Sequence, residues 1–68
     1  MENQDAELLK QQIETELEKC PSIEICSYIQ NPNSKKFAIE YVYKQVTKFG
    51  ASLSGGIGRF ESYLEEIK

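Results

Sequence analysis

Two cysteines and no histidine bound the chemistry open to this 68-residue chain. Acid–base and nucleophilic catalysis near neutral pH most often recruits an imidazole. A carboxylate substitutes only where burial or crowding raises its pKa, and the acidic residues here fall on expected solvent faces of helices. Cys20 and Cys26 lie six positions apart. On one helix that spacing rotates them by about 600° and separates them by about 9 Å along the axis. They are therefore read as reduced thiols, Cys20 at a helix end and Cys26 packed inside. Neither has a neighbouring base or a helix N-terminus to activate it. Two thiols also fall short of the four ligands a structural zinc site takes. The expectation is a protein without catalysis, cofactor or metal.

The glycines are the next candidates. All four, Gly50, Gly55, Gly56 and Gly58, fall in one short stretch. Gly50 and Gly55 have the spacing of a phosphate-binding loop, but Gly56-Ile57 stands where that loop needs Lys-Ser/Thr. A nucleotide site is not expected. The cluster reads instead as a joint, with Gly50 ending one helix and the other three letting the next pack closely against a neighbour.

These residues need elements to hold them. Asp5–Lys19 is rich in Ala, Leu, Glu, Lys and Gln and reads as a helix with Leu8, Leu9, Ile13, Leu17 and Cys20 on its apolar stripe. Asp5 stands at its start and Cys20-Pro21-Ser22 breaks it. Ser22–Gln30 fits a short helix; the alternation of Ile23, Ile25, Ser27 and Ile29 fits a strand as well. Helix is preferred, because two strands alone are rarely stable. After the turn Asn31-Pro32-Asn33-Ser34, a central helix is expected from Ser34 to Phe49, capped by Asn33 or Ser34. Its seam is Phe37, Tyr41, Val42, Gln45, Val46 and Phe49, with Gly50 as the stop. The last helix runs from near Ser54 to Ile67 with Ile57, Phe60, Leu64 and Ile67 inward. The whole is a single small all-α domain over 1–68: a compact bundle of three to four short helices with a Gly-rich joint before the last, and 1–4 frayed. At this length roughly 60% of the unfolded surface is buried, so stability is modest.

Charge is unevenly placed within a net of −3. Residues 1–30 carry seven acidic and two basic side chains; residues 31–60 carry five basic and one acidic. The acidic, polar N-terminus does not read as a signal peptide, and no run is long enough to cross a bilayer. A cytoplasmic protein without membrane contact is expected. Lys44–Leu64 loosely resembles a helix-turn-helix. That resemblance implies a DNA-binding regulator in which Arg59 points at DNA, with Ser52 and Ser54 at the entry to the recognition helix and Lys35, Lys36, Lys44 and Lys48 on phosphates. Against it, the segment from Gly50 to Ile57 is one residue longer than the usual turn spacing, a glycine-led helix has few side chains to read bases, and Glu61, Glu65 and Glu66 repel phosphate. A further alternative is an acidic inhibitor imitating nucleic acid through Glu7, Glu14 and Glu18. The favoured expectation is an interaction or regulatory module that binds another protein, a second copy included. Four tyrosines exceed what so small a core needs, and Tyr41, Tyr43, Lys44, Lys48, Phe60 and Tyr63 are the expected contact residues.

Overall fold

In a computed structural model, which describes residues 2–67, the chain forms four helices. They are α1 (Glu2–Glu18), α2 (Ile23–Tyr28), α3 (Pro32–Phe49) and α4 (Leu53–Glu66). The all-α bundle expected from the sequence is what forms. Met1 and the side chains of residues 2–4 lie outside the described residues, and the expected fraying at 1–4 falls there.

On α1, Ile13 and Leu17 are fully buried and Leu9 packs beside them. Leu8, placed on the same stripe from sequence, is instead exposed. It lies about 140° around the helix from Ile13, outside any single buried face. Asp5 sits inside the first turns rather than capping them. The helix ends through a tightened turn, with the Lys19 and Cys20 amides donating to the Glu16 and Leu17 carbonyls. Cys20 then takes a φ of +55°, a conformation uncommon outside glycine.

That corner corrects the reading of the cysteines. The two residues do not share a helix: the chain turns back at Cys20-Pro21-Ser22 and brings their Cα atoms within 4.7 Å, joined by a disulfide. They are bridged, not free. Ser22 caps α2 with extended backbone, its hydroxyl accepting from the Ile25 amide at 3.3 Å. The strand alternative for Ser22–Gln30 is thereby excluded. Ile25 is fully buried, whereas Ile23 is 84% exposed. A helix of six residues has too few hydrogen bonds to persist alone, so the bridge and Ile25 hold it. Replacing both cysteines with serine is expected to cost about 2 kcal/mol, the loop-entropy value for so short a ring. Urea titrations of the oxidised protein and the double variant would measure it; coincident midpoints would show that the bridge contributes nothing.

α3 begins earlier than the sequence reading placed it. Asn31 is the N-cap, its Oδ1 accepting from the amides of Asn33 at 2.9 Å and Ser34 at 3.4 Å, and Pro32 opens the helix. An Asn-Pro pair thus acts as cap and first residue, because proline has no N–H to leave unsatisfied there. Ala38 and Val42 are the fully buried positions of α3. Phe37 and Phe49, assigned to the seam from sequence, are 43% and 67% exposed. Gly50 ends the helix at φ +68°, and its N–H and that of Ala51 both donate to the Gln45 carbonyl.

Ser52 then caps α4 by accepting from the Gly55 amide at 3.1 Å. Three of the four glycines therefore lie inside the last helix rather than in the joint before it. Only Gly56 permits the close approach to a neighbouring helix expected of all three: a Cβ there would stand 3.1 Å from Val42 Cγ1, one at Gly55 would meet the Ser52 Oγ of its own cap, at 2.9 Å, and one at Gly58 would meet nothing. Ile57, Phe60 and Leu64 face inward, and Ile67, expected with them, is exposed. α3 packs between α1 and α4, and α2 closes one end against both α1 and α4. All four helices contribute to the core of Ile13, Leu17, Ile25, Ala38, Val42, Ile57, Phe60 and Leu64.

Candidate functional site

The aromatic residues gather at the outer edge of the α3–α4 contact. α3 and α4 run antiparallel there, since Gly56 lies beside Val42 and Gln45 while Tyr63, two turns on, reaches Tyr41 and Phe37. The Tyr41 and Tyr63 rings stack with centroids 5.1 Å apart. Phe37 sits 6.3 Å from Tyr41 and 6.1 Å from Tyr63. Tyr28 of α2 joins from the side, 6.5 Å from Phe37 and edge-on to Phe60 at 5.4 Å. Phe60 is the floor of the cluster and is fully buried. Each such ring pair adds about 0.5–1.5 kcal/mol beyond its buried area when geometry is offset or edge-on. The face is therefore stiff: rings that already touch one another lose little freedom when a partner covers them.

The expected contact residues divide on this surface. Tyr41 and Tyr63 are half-buried members of the cluster, and Lys44 and Lys48 are exposed on the same helix face as Tyr41. Phe37, Tyr41, Lys44 and Lys48 follow one another at steps of four, three and four, which keeps them within about 60° of arc. Two expected members are elsewhere. Phe60 belongs to the core and offers no surface. Tyr43 points toward α1, where the Lys10 ammonium stands 5.0 Å from its ring centroid. Phe37 and Tyr28 were missed as surface aromatics. The four-three-four spacing from Phe37 to Lys48 was the signal available for Phe37.

The phenol of Tyr28 is pushed above its ordinary pKa, first by burial and then by the neighbouring Tyr63 phenol, with a hydrogen bond to Ser34 acting the other way. It remains neutral at physiological pH.

Charges expected on a single basic middle are split as well. Lys35 pairs with Glu14 at 2.9 Å and with Glu18, and its pKa is raised by those two hydrogen bonds, Glu18 first. Lys10 pairs with Glu40 at 3.1 Å across the same α1–α3 boundary. Lys36 is exposed at the groove between those helices, among Glu7, Glu14 and Glu40. Lys35 and Lys36 therefore stand apart from Lys44, Lys48 and Arg59, and the residues assigned to DNA do not form one surface. Ser52 is engaged as a cap, whereas Ser54 and Arg59 are exposed. Of the acids assigned to nucleic-acid imitation, Glu14 and Glu18 are held by Lys35, and Glu7 is exposed.

Among the described residues no three His, Cys, Asp or Glu side chains converge as a metal site. No helix among them is long and apolar enough to cross a membrane. Neither a protein-family model, nor a curated protein, nor a solved structure matches this chain.

Proposed function

We propose that this protein is a non-catalytic interaction module that binds another protein through the aromatic face of α3 and α4. One observation carries the reading: Phe37 is 43% exposed on top of a ring cluster that is otherwise packed. Exposed aromatics on a preorganised base are the kind of residue that dominates binding energy at protein interfaces. Tyr41 and Tyr63 flank it, each with an apolar body and a polar tip. The disulfide supports a setting in which thiols are oxidised rather than the reducing cytoplasm expected from the sequence. A photo-reactive phenylalanine analogue at position 37 tests the proposal, with the same analogue at position 12 on exposed Gln12 of α1 as the reference. In extract of the native source, position 37 is expected to give a discrete protein adduct, or a crosslinked dimer, that position 12 does not. Equal or absent crosslinking at the two positions would overturn it.

A further inference from the structure

Among the described residues Lys10, Lys19 and Lys35 all have carboxylate partners within the chain. Lys36 is unpaired but stands in the α1–α3 groove among Glu7, Glu14 and Glu40; Lys44, Lys48 and Arg59 have no carboxylate partner either, and all three are exposed. Helix geometry places them together. Lys44 and Lys48 are one turn apart, about 6 Å along the axis of α3, on the face that carries Phe37 and Tyr41. Arg59 precedes Tyr63 by four residues on α4, so the two share that helix's outer edge. Because Gly56 stands beside Gln45 and Tyr63 beside Tyr41, Arg59 lies between those levels, across from Lys44. The result is one surface with aromatic rings at one end and three unpaired cations at the other.

We infer that this surface takes an acidic segment of a partner protein, an apolar side chain seated on Phe37, Tyr41 and Tyr63 and carboxylates against Lys44, Lys48 and Arg59. The inference rests on the protein-binding reading above and names its partner's chemistry. Complementary charge at the rim of an apolar patch sets register and steers encounter. Arg59 can hold a carboxylate with two parallel hydrogen bonds, which a lysine does not. A nucleic acid strand fits less well. Its phosphates are continuous, and a strand that leaves the cations along the groove must cross the aromatic rings toward Glu65 and Glu66 at the end of α4. An acidic segment carries its charge only where the cations are.

Fluorescence anisotropy with defined probes tests this. Three labelled helical peptides would share one apolar stripe of leucines and differ only in the polar face: glutamate-rich, glutamine-rich or lysine-rich. A single-stranded and a double-stranded DNA oligonucleotide complete the set. The oxidised wild-type protein is expected to bind the acidic peptide at least about tenfold tighter than the neutral one at low salt, with the preference shrinking near physiological ionic strength and above. The triple variant Lys44→Gln, Lys48→Gln, Arg59→Gln is expected to lose the preference while keeping a wild-type melting curve. Phe37→Ser should weaken the acidic and neutral peptides alike. Equal binding of acidic and neutral peptides, still dependent on Phe37, would overturn the acidic-partner inference and leave the protein-binding reading standing. Tighter binding of either DNA would overturn it in favour of a nucleic acid ligand, and no binding of any probe would overturn it too. Failure of the protein-binding reading itself shows in the crosslinking experiment, which does not depend on charge.

Discussion

Phe60→Ala is expected to leave the chain largely unfolded at room temperature. Phe60 is fully buried and its ring contacts Tyr28, Tyr41 and Tyr63. Truncating a buried phenylalanine costs about 3–5 kcal/mol, made up of lost transfer energy and the cavity left behind. Against it stands the whole stability of a short chain, about 3–10 kcal/mol at ordinary values per residue. With so small a core the lower part of that range applies. The variant should lose its near-ultraviolet circular dichroism and its cooperative melt, while Phe60→Leu, which retains most of the volume, should keep both. A Phe60→Ala protein melting within a few degrees of wild type would show that the cluster does not rest on this ring, since each kcal/mol shifts a domain of this size by about 4–8 °C.

The four helices were legible because their signals are local. Apolar residues at three- and four-residue steps, Pro21 and Pro32, and Gly50 each act within one or two turns. The central helix was placed late because Asn33 and Ser34 are plausible caps too; Asn31 wins, since Pro32 fits the first helical position so well. What could not be read depends on how helices meet. Tyr41, Tyr43 and Phe60 are all aromatic residues at helix positions compatible with burial or exposure, and only the α3–α4 and α1–α3 packing sorts them. Leu8 was recoverable, since its angle from Ile13 already places it outside the stripe.

The cysteines failed for a different reason. The distance argument was sound for one continuous helix, but the proline that ends that helix also cancels the premise. A reversal at Cys20 turns six residues of separation into neighbours. Charge asymmetry was half legible. The acidic first helix does meet a basic residue of the third, Lys35 on Glu14 and Glu18, while Lys10 and Glu40 pair in the reverse sense, and these ion pairs leave the cations of the opposite side of α3 unsatisfied. Exposed pairs of that kind contribute about 0–1 kcal/mol each, so they orient α1 on α3 more than they stabilise it.

Gly56→Leu is expected to be the most disruptive single change outside the aromatic core, and its neighbour Gly58 supplies the contrast. A Cβ at position 56 would meet Val42 Cγ1 at 3.1 Å, Gln45 Cβ at 3.4 Å and the Val42 carbonyl oxygen at 3.5 Å. Two of those atoms sit close to the α3 backbone, and Val42 is itself fully buried, so none can swing away freely. For alanine the tight contact is offset by a helix-propensity gain of about 1 kcal/mol, and the net change is small. Leucine adds three more carbons with no space for them and must push α4 off α3, an overpacking cost of about 3 kcal/mol or more. That displacement would also separate Tyr63 from Tyr41, so the aromatic face should go with it. Gly58→Ala meets nothing within 4 Å and collects the propensity gain alone. Thermal melts should therefore place Gly58→Ala several degrees above wild type and Gly56→Leu far below, with Gly56→Ala near wild type. If Gly56→Leu melted beside Gly58→Ala, the two helices would not be in contact at this glycine, and the surface built on their contact would not exist.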